Sequence, residues 1–194
     1  LLYWLNIVMT TYGGLSPFFS VVAWLMLCVY LALFFAASLW LTFLVKQHLN
    51  ILPILSFPIF WVTLEYLRGH LLTGFPWGLL GYAAIDMPLL RQIADLYGVY
   101  GLSWLFVFSN AALALLFQRR LQKVAIFGVA SCLLLMSAAL FYGQQALHQR
   151  GEDLPRLKVG LIQGNIEQQK KWDRNFRQKT LDRYRRLSKA ASDE

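Results

Sequence analysis

Charged residues are scarce in this sequence, and none occurs before Lys46. Only 14% of the residues are charged, against about 25% in soluble domains. The few charges are unevenly spread: residues 1–150 hold seven basic and three acidic residues, and residues 151–194 hold eleven and seven. This distribution excludes a disordered chain and argues against an ordinary cytosolic domain. We predict a multi-span α-helical membrane domain over 1–150 and a water-facing domain start over 151–194.

Cysteine is equally scarce, since Cys28 and Cys132 are the only two, and both lie in long apolar runs. A disulfide framework needs paired cysteines on the water side, which excludes one here. Apolar surroundings raise the pKa of a thiol, which argues against a nucleophile or a metal ligand. We expect both to be small buried hydrophobic side chains, and we expect no metal and no cofactor.

The N-terminus lacks the features of a signal peptide, because it has no basic region and no small-residue cleavage site. Its first nine residues are apolar, which is typical of the end of a membrane helix. The last residues, Ser192-Asp193-Glu194, interrupt a charged helical pattern. We therefore expect the chain to be an internal piece of a longer protein.

Long uncharged stretches predict the membrane spans, and the basic residues beside them predict orientation. The segment Gly69–Leu90 is rich in glycine, proline and aromatic residues. If it is re-entrant or lies at the surface, Lys46 and the Arg119–Lys123 group both face the cytoplasm, as the rule favours. That arrangement places Gly69–Leu90 and the C-terminal segment on the same, outer side. The N-terminal residues are predicted to be the end of a truncated first span. Four further spans are predicted near residues 18–45, 51–68, 96–117 and 124–142.

The C-terminal segment predicts a strand, a loop and a helix, the beginning of an α/β domain. Leu157–Ile162 has the β-branched and aliphatic content of a half-buried strand, and Asp173 stands where a helix N-cap would. The basic surplus does not indicate nucleic-acid binding, because acidic residues are interleaved and stacking aromatics are absent. One helix face is predicted from Phe176, Thr180, Tyr184, Leu187 and Ala191.

The segment from Glu65 to Tyr82 holds the candidate site. Glu65 and Arg68 are spaced i, i+3, so we expect them to pair or to face a polar cavity, since an unpaired charge in lipid is costly. A purely structural ion pair is the alternative. Thr73–Trp77 cannot be helical through Pro76, and irregular backbone at membrane depth survives only against protein or water. Its two aromatic residues predict a groove for a lipid chain.

Several motifs in order resemble one family, the apolipoprotein N-acyltransferases. The membrane part is similar in Glu65-Tyr-Leu-Arg68-Gly69, Thr73-Gly-Phe-Pro-Trp77, Leu80-Gly81-Tyr82, Gly98-Val-Tyr-Gly101-Leu-Ser103 and Asn110-Ala111. The start of the family's nitrilase-like domain is similar in Val159-Gly-Leu-Ile-Gln163-Gly164-Asn165-Ile166 and Lys171-Trp172-Asp173. Glu167 departs from the proline usual in the family, and we expect only a local effect on the loop.

The resemblance implies a multi-pass protein of the bacterial inner membrane with a periplasmic nitrilase-like domain, an α-β-β-α sandwich. It implies an enzyme that moves an acyl chain from a phospholipid donor, through a cysteine thioester, to the N-terminal diacylglyceryl-cysteine of an apolipoprotein. The family's catalytic Glu, Lys and Cys are expected beyond Glu194, so no catalytic residue is assigned and the fragment alone is expected to be inactive. The substrate-binding residues that it implies are Phe75, Trp77, Gln163, Asn165 and Trp172.

Two alternatives remain at this stage. One is another membrane-tethered nitrilase-like amidase, and the other is a polytopic transporter or scaffold without enzymatic activity. Transporters tend to contain internal repeats and ionisable residues near the membrane midplane. The sequence has no such repeat, and its acidic residues lie near predicted span ends. For Phe75 and Trp77, anchoring at the membrane interface is the alternative role, and for Trp172 it is helix packing.

Overall fold

The computed structural model describes residues 2–50, 52–149, 158–171 and 173–192. Six α-helices lie between residues 4 and 149: α1 (Trp4–Thr11), α2 (Pro17–Leu49), α3 (Pro53–His70), α4 (Pro88–Arg91), α5 (Ala94–Leu115) and α6 (Gln122–Gln149). Short 3₁₀ helices cover Leu80–Ala84 and Arg119–Leu121. The C-terminal segment holds α7 (Gln168–Lys171), a 3₁₀ turn at Arg174–Phe176 and α8 (Arg177–Ser192).

Proline and asparagine set the bounds of the first helical hairpin. Pro17 stands in the first turn of α2, where its missing N–H costs nothing. Asn50 ends α2 in the left-handed conformation, with φ 54°, and Pro53 then starts α3. The short connection makes α2 and α3 antiparallel neighbours.

The turn between α2 and α3 and the turn between α5 and α6 lie at the same end of the helical bundle. Ile54 near the start of α3 packs with Leu115 near the end of α5 and with Ala125 near the start of α6. Lys46 lies in the last turn of α2, and Lys123 in the first turn of α6. We call this end, which carries Lys46, Arg120 and Lys123, the basic end.

The segment Gly69–Leu90 lies at the opposite end, which we call the loop end. There Leu90 and Ala84 are packed with Leu102 of α5 and Ala139 of α6. Gly143 of α6 lies directly against the carbonyl group of Leu89, where a larger residue would not fit. The chain thus leaves α3 and enters α5 at one end of the bundle.

Three helices of the described residues are long and apolar enough to cross a membrane: Pro17–Leu49, Ala94–Leu115 and Gln122–His148. The segment predicted as a span near 51–68 forms the helix α3, which packs along α2 and α5. It is not among those three helices. Its glutamate, arginine and two prolines lower its mean hydropathy. The structure is therefore a helical membrane protein in residues 4–149.

The strand predicted at Leu157–Ile162 is not formed in the described part of the chain, where residues 158–167 are neither helix nor strand. A strand is completed by hydrogen bonds to a neighbouring strand, and the described residues supply none. The helix that follows is present. Asp173 is the N-cap of its leading 3₁₀ turn, where its carboxylate accepts a hydrogen bond from the backbone N–H of Asn175 at 2.9 Å.

Candidate functional site

The loop of residues 71–79 at the loop end has an unusual backbone. Two of its non-glycine residues, Leu72 and Thr73, have positive φ angles of 59° and 91°. Such angles are uncommon for side chains of this size and cluster at functional sites, where surrounding contacts hold them. Gly74 follows at φ 79°, and a Cβ atom there would overlap the carbonyl oxygen of Gly69. This position therefore requires glycine.

The buried Glu65 and Arg68 of α3 hold this loop. Glu65 is 6% exposed, and its carboxylate accepts a hydrogen bond from the backbone N–H of Leu80 at 2.7 Å. Arg68 is 4% exposed, and its Nη2 donates to the carbonyl oxygen of Gly78 at 3.4 Å. Their hydrogen bonds thus go to the loop rather than to each other. Among the residues that the structure describes, neither the Oε2 of Glu65 nor the Nε of Arg68 has a hydrogen-bond partner.

A third attachment joins the end of the loop to α5. The backbone N–H of Gly81 donates to the hydroxyl oxygen of Ser103 at 2.8 Å, and Ser103 is fully buried. Gly81 lies so close to α5 that a Cβ atom would overlap the carbonyl oxygen of Val99. These three attachments fix the loop against two helices of the bundle.

The fixed loop forms one wall of a groove of about 250 Å³. The Trp77 ring lies 5.4 Å from the Phe75 ring and 4.9 Å from the Trp4 ring, centroid to centroid, and Trp77 is 50% exposed. Among the described residues that line the groove, Arg68 is the only charged one. Its Cζ atom lies 6.0 Å from the centroid of the Phe35 ring. The groove is lined by Leu2, Cys28, Leu31, Ala32, Phe35, Arg68, Phe75, Trp77 and Gly78.

This lining combines an apolar channel with one guanidinium group. An alkyl chain would bury against Leu31, Ala32 and the rings of Phe35 and Phe75. A guanidinium in such surroundings binds oxygen anions or carbonyl oxygens well, because it is planar and weakly hydrated. The groove therefore suits an amphiphile with a long apolar part and an oxygen-rich head. The described residues contain no group of three or more His, Cys, Asp or Glu that could hold a metal ion.

The other predicted site residues lie in the C-terminal segment. Gln163 is exposed, and Asn165 has a φ of 46° and lines a second groove, of about 640 Å³, with Lys170, Phe176 and Arg183. Trp172 lies outside the described residues. The structure thus brings Phe75 and Trp77 together, but Asn165 lines a separate groove made by residues 165–186 alone.

Sequence reasoning missed the contribution of α2 to the groove. Cys28, Leu31, Ala32 and Phe35 follow the spacing of one helix face. That signal is present in the sequence, but α2 is apolar on all sides, so hydropathy does not single out this face. Cys28 is half-buried in the groove lining, and Cys132, also half-buried, lies 3.0 Å from the hydroxyl oxygen of Ser109.

Comparison with known proteins gives one consistent result. A family model described as the apolipoprotein N-acyltransferase N-terminal domain matches residues 1–112. The apolipoprotein N-acyltransferase of Geobacter metallireducens is 42% identical over 98% of this chain and 37% of its own length. Proteins of the same name from Haemophilus ducreyi and Methylococcus capsulatus are 36% and 35% identical, over 95% and 93% of this chain and 35% of their own lengths. The chain thus spans about a third of these relatives. No solved structure matches it.

Proposed function

The chain belongs to the apolipoprotein N-acyltransferase family, and we propose that it is the membrane part of an enzyme that N-acylates lipoproteins. In this proposal a cysteine thiolate attacks an ester carbonyl of a phospholipid, so that a thioester forms and a lysophospholipid leaves. The α-amino group of a diacylglyceryl-cysteine at the lipoprotein's N-terminus then attacks the thioester, which forms an amide and releases the cysteine thiol. In this proposal the catalytic Glu, Lys and Cys lie in the full-length protein beyond Glu194.

The groove beside Trp77 is the observation that carries the proposal. Both substrates of such an enzyme are amphiphiles, with alkyl chains in the membrane and ester or phosphate oxygens at its surface. The groove offers an apolar lining for the alkyl chain and the Arg68 guanidinium for an oxygen of the head. Phe75 and Trp77 are therefore substrate-contacting residues in this proposal, and Arg68 joins them.

We expect Trp77→Ala in the full-length protein to lower the rate of N-acylation about tenfold, the effect of about 1.4 kcal/mol of lost contact. The loss follows because the indole covers the groove and contacts the rings of Phe75 and Trp4. The measurement is the gain in mass of a diacylated lipoprotein peptide, followed over time with purified enzyme.

Trp40→Ala is the matched control for this experiment. Trp40 is also exposed, at 61%, but lies on α2 outside the groove lining. Its replacement should leave the rate within twofold of the unsubstituted enzyme. Equal rates for both variants, at equal protein levels, would reduce Trp77 to an interface anchor and remove the groove from the proposal.

The orientation in the membrane is part of the same proposal. The basic end then faces the cytoplasm, following the positive-inside rule, with α3 crossing beside α2 and α5. The loop end and the C-terminal segment face the periplasm. A single cysteine at position 154, in an otherwise cysteine-free full-length protein, should react with a membrane-impermeant maleimide in bacteria with a permeabilised outer membrane. Reaction only after lysis would reverse the orientation.

A further inference from the structure

A third groove lies at the basic end, between α3, α5 and α6. Its volume is about 480 Å³, within the range of about 300–1,000 Å³ typical of small-molecule sites. Leu55 and Phe127 on its rim are 56% and 76% exposed. The lining residues are Leu52, Ile54, Leu55, Phe108, Lys123, Val124, Phe127, Gly128 and Ser131.

The groove runs along one face of α6, away from Lys123. The α6 residues that line it lie at positions 123, 124, 127, 128 and 131, which share one side of a helix. Gly128 brings α6 close to α3: a Cβ atom there would lie 2.5 Å from the Cδ1 of Ile54. The result is an apolar channel about 12 Å long, with an exposed ammonium group at its mouth.

The charges around the mouth are all positive. Arg120 and Lys123 are exposed here, and Lys46 lies at the same end of the bundle. The three acidic residues of positions 1–150 are Glu65, Asp86 and Asp95. All three belong to the loop end, where Glu65 binds Leu80 and Asp95 binds Tyr142. The positive-inside rule explains basic residues at this end, but it does not explain an apolar channel that begins at one of them.

We propose that this groove binds an anionic phospholipid, with an acyl chain along α6 and the phosphate at Lys123. Basic pockets between membrane helices on the cytoplasmic side bind anionic headgroups for the same electrostatic reason. The site lies at the opposite end of the bundle from Trp77. It rests on the proposed orientation, which places the basic end at the cytoplasmic side, but it does not depend on the proposed acyl transfer. The lipid is bound here as a structural ligand.

Native mass spectrometry of the delipidated full-length protein tests the proposal, with phosphatidylglycerol and phosphatidylcholine of identical chains as probes. Phosphatidylglycerol should bind more tightly. Lys123→Gln should weaken its binding about fivefold, the ratio that about 1 kcal/mol per basic residue corresponds to. Ser131→Phe should weaken both lipids, because the new ring fills the channel.

Lys46→Gln is the matched control, because it removes one positive charge from the same end without touching the groove lining. It should leave phosphatidylglycerol binding unchanged. Equal losses in Lys46→Gln and Lys123→Gln would assign the preference to general surface charge and overturn the site. Equal binding of the two lipids to the unsubstituted protein would overturn the choice of an anionic occupant.

Discussion

Glu65→Leu is expected to destabilise the full-length protein by about 3 kcal/mol or more. Two effects combine, since the buried N–H of Leu80 loses its acceptor and the buried guanidinium of Arg68 loses the nearby negative charge. An unsatisfied buried donor costs about 1–3 kcal/mol, and a buried charge left without an opposite charge nearby costs on the order of several kcal/mol. The free energy of unfolding in mixed detergent and dodecyl sulfate micelles measures the loss.

Two further variants separate these effects. Glu65→Gln keeps an oxygen that can accept from Leu80 and removes only the charge, so its loss should be smaller. The double variant Glu65→Leu with Arg68→Met removes both charges, and it should be less destabilised than the sum of its two single variants. Strict additivity would show that the two side chains act independently. We expect faster protease cleavage within residues 71–79 in the variants that carry Glu65→Leu, because the loop has lost an attachment. Glu65→Gln, which keeps the acceptor, should be cleaved at nearly the original rate.

Gly81→Val is expected to destabilise the protein by about 2–4 kcal/mol and to lower N-acylation with it. The new Cβ atom would overlap a backbone carbonyl of α5, that of Val99, which cannot move as a side chain can. Overpacking of this kind costs about 1–3 kcal/mol, and displacement of the loop also breaks the Gly81–Ser103 hydrogen bond, at about 1 kcal/mol. The same unfolding measurement and the acylation assay record the two effects.

Gly78→Ala separates crowding from backbone strain. Gly78 has a φ of 72° but open space where its Cβ would lie, so alanine there should cost about 1–2 kcal/mol from strain alone.

Ser103→Ala adds a second check, because it should cost about 1 kcal/mol alone and nothing further when combined with Gly81→Val. A full additional loss in that combination would mean that the Gly81–Ser103 hydrogen bond survives the substitution.

Hydropathy predicts where helices occur better than where they end. The spans predicted at 18–45 and 124–142 are helices at Pro17–Leu49 and Gln122–Gln149. Hydropathy detects only the apolar part of a helix, whereas the i to i−4 hydrogen bonds continue through Lys46 and Gln144. The actual ends come from local chemistry such as the left-handed Asn50. The strand predicted at 157–162 is not formed over the described residues 158–162, since a strand depends on a partner that local sequence does not specify.

Local sequence also predicts only part of the candidate site. The sequence identifies Glu65 and Arg68 as neighbours on a helix, and Thr73–Trp77 as non-helical, because both conclusions follow from local geometry and from proline. It does not identify Leu80 as the partner of Glu65, 15 residues away, or Ser103 as the partner of Gly81. Nor does it show that Cys28 and Phe35 line one groove with Trp77, because α2 has no distinct polar face that would orient it.

By itself, the sequence determined a helical membrane protein with charge concentrated at its C-terminus, an irregular aromatic segment and a specific family resemblance. These properties follow from composition, periodicity and local backbone preference, which neighbouring residues along the chain decide. Only the tertiary structure decided that three attachments fix the loop of residues 71–79. It also decided that grooves open at both ends of the bundle. Those features depend on close approach between distant segments, which is set by small residues such as Gly81 and Gly128 and by buried hydrogen bonds.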